Sequence, residues 1–195
     1  MTTADVVVLL FGRRRLPRSL RGLTTVTIDE ITGHRRVVAV GSDADLATVL
    51  TRLLRADRLD IEVAHVPRWR SARHARVGEA RRVPLIRDET GAVITRAAYW
   101  LPTDDEPTIH GEAVVDDTLL FDGEVTGVRI EPTPTMPGLR ASALSGRRRP
   151  NRWVTGRVAQ LGTTGALLVR DGVPGPRPVR RSTFYRHTQG WLLVG

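Results

Sequence analysis

Residues Asp5 to Phe11 read Asp-Val-Val-Val-Leu-Leu-Phe, an apolar run of strand length. Such a run predicts a parallel strand covered on both faces rather than a half-exposed one. Thr24 to Ile28 and Arg36 to Val40 are two further strand candidates. After the loop Gly41-Ser42-Asp43-Ala44-Asp45, the residues Leu46, Val49, Leu50, Leu53 and Leu54 recur at i, i+3, i+4, i+7 and i+8. That spacing predicts one helix with one apolar face. Asp43 or Asp45 is expected to cap its first turn, and Arg52 and Arg55 suit the negative end of its dipole. Ile61 to Val66 is the next strand, so the stretch reads as a βαβ unit with a right-handed crossover.

Beyond Pro67 the pattern changes. Val83 to Arg87 and Ala92 to Leu101 flank the turn sequence Asp88-Glu89-Thr90-Gly91, and a Pro- and acid-rich loop runs from Pro102 to Pro107. Thr118 to Phe121 and Val125 to Glu131 flank Asp122-Gly123, while Leu167 to Arg170 precede Asp171-Gly172, so two hairpins are expected to turn on Asp-Gly. Pro132 to Gly138 and Ser145 to Asn151 read as loops, and no helix is expected after residue 80. The fold class is therefore an α/β N-terminal lobe with a shortened, Rossmann-like parallel sheet, residues 1–80, followed by a β-rich, sandwich-like lobe, residues 81–195. Trp191-Leu192-Leu193-Val194 is expected as a strand of that second lobe, because four apolar residues are not left in water.

The chain has 195 residues, 41% of them hydrophobic and 26% charged, which suits one or two soluble domains. No apolar run approaches the roughly 20 residues that span a bilayer. Val6 to Phe11 is too short for a signal-peptide core, and Arg13 to Arg15 follow it rather than precede it, so a cytoplasmic location is expected, with peripheral membrane contact left open. Charge is uneven: net +7 over residues 1–82, −8 over 83–137 and +10 over 138–195. An acidic middle between basic ends allows pairing within the molecule, so the excess of cations does not by itself demand a polyanion.

The absence of Cys excludes disulfides, Fe–S clusters, thiolate zinc and cysteine nucleophiles. The absence of Lys excludes Schiff-base chemistry and leaves every positive side chain a guanidinium. The five His form no His-Glu-x-x-His pair, and read as scattered structural or surface residues; no metal site is expected from them. Neither a Gly-x-Ser-x-Gly elbow nor a Walker loop is present. What remains lies where open α/β sheets place ligands, beyond the carboxyl ends of the strands. Gly41 to Asp45 and Pro67 to Arg76 both leave that edge. The helix N-terminus together with Arg68, Arg70 or Arg73 outlines an anion site. The same residues also read as a plain helix cap and a solvated arginine loop.

The stretch from Val37 to Leu46, the helix after it, and Ile61-Glu62-Val63-Ala64-His65-Val66-Pro67 resemble the core of the diacylglycerol kinase and NAD kinase superfamily, whose signature loop is Gly-Gly-Asp-Gly-Thr-Leu. Gly156 to Gln160, Arg170 to Val173 and Arg177 to His187 resemble the closing β-domain of its bacterial lipid kinases. The resemblance implies a two-lobe architecture with nucleotide bound in the cleft, Gly41, Ser42, Asp43 and Asp45 forming the phosphate loop. If transfer is retained, it implies ATP with Mg²⁺ as cofactor and Asp43 as the catalytic carboxylate. Gly41, Asp43 and Leu46 match the signature, whereas Ser42, Ala44 and Asp45 replace Gly, Gly and Thr. Ser42 and Ala44 add side chains where phosphate should sit, and Asp45 adds negative charge. The family's Gly-Thr-x-Asn-Asp after Pro67 is replaced by Arg68-Trp69-Arg70, its Asn-Pro-x-Ser-Gly loop by Gly12-Arg13-Arg14-Arg15, and its Asp-Gly-Glu by Asp171-Gly172-Val173.

Phosphoryl transfer needs positioned phosphates, a carboxylate-held metal and a group that orients the attacking hydroxyl, and each is weakened here. The expectation is a pseudokinase that binds a nucleotide, a lipid headgroup or another phosphate-bearing ligand. Two alternatives stay open: an active lipid kinase, and an Arg-rich module for nucleic acid or an acidic membrane. Only Trp69 and Trp153 lie among the arginine clusters, so base stacking has little material and nucleic acid is the less favoured partner.

Overall fold

The computed structural model describes residues 5–67, 72–145 and 149–195. The chain forms two compact units, one ending at Val83 and regaining Gln189–Gly195, the other Pro84–Thr188. The first contains β1 (Val6–Leu10), β2 (Thr24–Thr25), β3 (Arg36–Val40), helix α1 (Asp43–Arg55), β4 (Glu62–Val66), the short helix α2 (Ala72–Val77) and β5 (Ala80–Val83). The second contains β6 (Ile86–Asp88), β7 (Val93–Ile94), β8 (Ala98–Leu101), β9 (Ile109–Val115), β10 (Thr118–Val125), β11 (Val128–Pro132) and β12 (Leu139–Ser145). It continues through β13 (Arg149–Pro150), β14 (Val154–Gly156), β15 (Val158–Arg170), β16 (Val173–Pro174) and β17 (Val179–Arg186), after which β18 (Trp191–Val194) returns to the first unit.

The first sheet has the order β2-β1-β3-β4-β18-β5, parallel except for β5. The apolar runs of β1 and β3 are buried because both sheet faces are covered. On one face Val6, Val8, Val38, Val40, Ala64 and Val66 lie under Leu20 and Leu23 of the β1–β2 connection and under Ala72 and Ala75 of α2. Alternation turns Val7, Leu9, Val37, Ala39 and Val63 to the other face, where α1 buries Leu46, Val49, Leu50 and Leu53. The end of α2 is tied down by Arg36, a buried guanidinium paired with Glu62 at 2.6 Å. Arg36 also donates to the carbonyls of Arg76 at 3.0 Å and Gly78 at 2.9 Å. Helix carbonyls without an intrahelical partner are thereby satisfied inside the protein.

The run Trp191–Val194 is a strand, but it belongs to the first unit and not to the β-rich lobe. Leu192, Leu193 and Val194 pair in parallel with Glu62, Val63 and Ala64, and the opposite edge pairs antiparallel with β5. A four-residue apolar run carries no mark of the sheet it joins. Local sterics permit the insertion: a Cβ on Gly190 would stand 2.2 Å from the Val83 carbonyl oxygen. β5 sits on the far side of β18, so residues 81–83 also fall in the first unit.

The second unit is antiparallel, and β15 knits it together: its first half pairs with β9 and β17, its second half with β8. No helix follows Val77 among the described residues. Trp100 and Phe184 are fully buried in its core, ring centroids 6.0 Å apart. Asp171 and Gly172 turn the β15–β16 hairpin with φ of 47° and 86°, the left-handed pair that a tight two-residue turn requires. Asp122-Gly123, by contrast, is not a turn. It lies within β10 opposite Glu112 and Gly111, and the chain reverses instead at Asp116-Asp117, where Asp116 has φ 49°. The Asp116 carboxylate accepts the backbone N–H groups of Arg157 and Val158, both at 3.0 Å, which holds the reversal there.

The acidic stretch and the basic end meet at two buried points in this unit. Asp88, with no exposed surface, accepts from Arg170 Nε at 2.6 Å, from the N–H groups of Thr90 and Ala92, and from the Thr90 hydroxyl. Glu131 takes Arg129 and Arg140 together. Asp171 instead spends its carboxylate on the backbone N–H groups of Thr95, Arg96 and Ala97 at 2.8, 2.8 and 2.9 Å. Among the described residues the other acids of 83–137 make no ion pair, so the internal pairing that the charge distribution allows is seen there at these two sites.

Trp191→Ala is expected to destabilise the first unit by about 3 kcal/mol, the usual cost of emptying a buried aromatic site. Denaturant unfolding checks this, and a loss below about 1 kcal/mol would show that β18 does not complete the sheet. Asp88→Ala is expected to cost about 3 kcal/mol, since it removes the buried acceptor shared by the Arg170 guanidinium and the N–H groups of Thr90 and Ala92. Unchanged unfolding of that variant would contradict the assigned pair.

Candidate functional site

β1, β3 and β4 are parallel, so the chain leaves all three at one edge of the first sheet. The ladder runs one residue past the strands, with Phe11 N–H donating to the Val40 carbonyl at 3.1 Å and Gly41 N–H to the Val66 carbonyl at 3.3 Å. This brings the segments after Leu10, Val40 and Val66 together. Arg14, from the first of them, donates from Nη1 to the Pro67 carbonyl at 2.9 Å.

The middle segment starts α1. Ser42, rather than Asp43 or Asp45, is its N-cap, in a reciprocal capping box with Asp45. Ser42 Oγ accepts the Asp45 N–H at 3.3 Å, while Asp45 Oδ2 accepts the Ser42 N–H at 2.7 Å and the Ser42 hydroxyl at 2.8 Å. Gly41 is needed for this closure, because a Cβ there would stand 2.6 Å from the Asp45 Cβ. The first turn thus holds two carboxylates, Asp43 and Asp45, which the helix dipole favours.

His65 on β4 completes the cluster and had no signal in the sequence beyond its place before Pro67. Its Nε2 lies 3.2 Å from the Gly41 carbonyl oxygen, and its Nδ1 lies 4.0 Å from Asp43 Oδ1. A carbonyl only accepts, so Nε2 carries the hydrogen and Nδ1 is the atom turned toward Asp43. Register explains the meeting: His65 pairs with Ala39, two residues before Gly41.

Gly41, Ser42, Asp43 and Asp45 are therefore together. Arg68 and Arg70 lie outside the described residues. Arg73 is on the exposed side of α2 and makes no hydrogen bond or ion pair with the 41–45 turn. Among the described residues no group of three or more His, Asp or Glu is placed to hold a metal ion. The turn does not fit a nucleotide phosphate as it stands, because the Asp45 carboxylate already occupies the Ser42 N–H and hydroxyl.

No family model matches the sequence, and no curated protein matches it. Solved structures do match the fold. An NAD kinase from Archaeoglobus fulgidus in complex with ATP aligns with a TM-score of 0.68 at 13% identity, over 97% of this chain and 93% of that one. A diacylglycerol kinase from Bacillus anthracis str. Sterne aligns with a TM-score of 0.73 at 9% identity, over 98% and 96%. Likeness at such low identity is likeness of architecture, carried by the parallel sheet with its βαβ unit and by the large antiparallel unit: the chain has the NAD kinase and diacylglycerol kinase fold.

Proposed function

We propose that this protein binds a phosphate-bearing ligand, a nucleotide or a lipid headgroup, at the carboxyl edge of the first sheet, and that phosphoryl transfer by it is absent or very slow. The observation that carries this reading is the bond from Ser42 N–H to the Asp45 carboxylate. In a phosphate-binding turn that N–H and its neighbours face the ligand. Here a side chain of the helix occupies it. Two unit charges about 4 Å apart interact by about 1 kcal/mol in water and about 4 kcal/mol near a protein surface, so Asp45 opposes a phosphate at the same place. Arginines then carry the anion: Arg14, beside Pro67, and Arg68, Arg70 and Arg73 in the stretch that follows it. The ATP complex of the similar NAD kinase supports a nucleotide as one such ligand.

One observation favours retained transfer, the approach of His65 to Asp43. A carboxylate beside an imidazole is a group that could take the proton of an attacking hydroxyl, Asp43 accepting it while His65 holds the turn through Gly41. The missing phosphate loop weighs against it, since a base cannot act on phosphate that is not positioned.

Asp45→Asn separates charge from structure, because the amide oxygen still accepts the Ser42 N–H. Nucleotide binding, followed by calorimetry, is expected to tighten at least fivefold, the lower end of the charge repulsion. Unchanged or weaker binding would place the ligand elsewhere. In a radiolabelled transfer assay with diacylglycerol, other lipid alcohols and NAD, the unaltered protein is expected to remain at background. Robust transfer abolished by Asp43→Ala would establish a working kinase instead.

A further inference from the structure

The two coverings of the first sheet differ in charge. α1 carries both signs, with Asp43 and Asp45 in its first turn and Arg52 and Arg55 in its last. The opposite face is covered by the β1–β2 connection and by α2, and these are the segments that contribute Leu20, Leu23, Ala72 and Ala75 to the core. Residues 11–23 and 67–78 contain nine arginines and no acid. The connection and α2 touch at the turn Arg18–Leu20, and the Arg14 bond to Pro67 joins the two segments again. All five arginines of the connection and Arg73 are exposed. Among the described residues, none of the six makes an ion pair with a carboxylate. At the end of α2, Val77 is 70% exposed, one of the largest apolar exposures on the protein.

We infer that this layer docks on an anionic phospholipid bilayer, and that the phosphate-bearing partner of the first unit is the lipid headgroup. The inference deepens the proposed function and rests on it for the choice of lipid. Six exposed arginines without a carboxylate partner, on two adjoining segments, are more cations than one bound phosphate uses. A bilayer surface offers such a set many phosphates. Nucleic acid would also offer phosphates, but the described part of the layer has only the His74 ring exposed and Phe11 partly so, little material to stack bases. An exposed Val77 suits the apolar side of the headgroup region and has no role against a polyelectrolyte.

The test is sedimentation of the intact protein, without nucleotide, with vesicles of phosphatidylcholine alone and vesicles in which about a third of the lipid is phosphatidylglycerol. Binding is expected only to the second kind and is expected to fall as salt rises. Replacing Arg13, Arg15 and Arg18 by Gln should lower the partition coefficient roughly a hundredfold, about fivefold per arginine. Arg177→Gln, Arg180→Gln and Arg181→Gln remove the same charge from the other unit and should change it less than about threefold. Equal losses in the two triple variants, or no preference for the anionic vesicles, would overturn the inference. So would loss of oligonucleotide binding with vesicle binding unchanged, which would assign the layer to nucleic acid. Since the chain has no Cys, Val77→Cys accepts a single environment-sensitive label in an otherwise unaltered layer. Its emission should shift to the blue on the anionic vesicles, and an unshifted label would likewise count against docking. Failure of nucleotide binding with these results intact would sink the nucleotide arm of the proposed function and leave the bilayer surface standing.

Discussion

β18 is the strand on which the first sheet depends. It stands between β4 and β5, hydrogen-bonded to both, and without it one sheet becomes a four-stranded parallel piece and a detached strand. Parallel strands need both faces covered, and β4 is largely buried and hydrogen-bonded on both sides, so an empty place beside it would leave its backbone N–H and C=O groups on that side without partners. The constraint also explains the second unit's position in the chain. About a hundred residues of antiparallel sheet are inserted between two neighbouring strands, β5 and β18, of the first. The close approach at Gly190, and at Gly78, where a Cβ would stand 2.5 Å from the Gly195 carbonyl oxygen, follows from that insertion.

The sheet fixes the edge from which the chain emerges, and α1 fixes what that edge presents. A helix N-terminus leaves backbone N–H groups without intrahelical partners and so attracts anions. A ligand can satisfy them, and so can a side chain. In this protein the Ser42–Asp45 box does so, which stabilises the helix by occupying the Ser42 N–H that a phosphate would otherwise meet. A ligand and the helix cap thus compete for one set of donors, and in this structure Asp45 holds the Ser42 N–H. In the proposed reading the anion is met instead by the guanidiniums of the opposite covering layer, whose segments 11–23 and 67–78 contain no carboxylate.

The parts of the fold legible in the sequence were those with a periodic or local physical signature. Val6–Leu10, the five spaced apolar residues of α1 and the Asp171-Gly172 turn each express their structure through neighbours close in the chain. The partner of Trp191–Val194 was not legible, because the run specifies burial without specifying a sheet. Asp122-Gly123 misled for a related reason: its letters suit a tight turn, but the register of β10 was already set by the reversal at Asp116, whose carboxylate is held by residues far along the chain. At the site, Gly41, Ser42, Asp43 and Asp45 could be picked out as a group, yet their roles could not. Whether Asp45 faces a ligand or folds back on Ser42 is a matter of one side-chain rotation. His65 was missed because its importance comes from strand register alone.

In this structure the Ser42 N–H belongs to Asp45, and the proposed function holds that it stays so when a ligand binds. Nuclear magnetic resonance of the backbone amides during titration with ATP and with inorganic phosphate addresses it at that atom. The Ser42 amide signal is expected to stay in place while arginine Nε–H signals from the 11–23 and 67–78 segments move. A large downfield shift of the Ser42 amide on adding phosphate would mean that the ligand displaces Asp45 and that the loop is a working phosphate site.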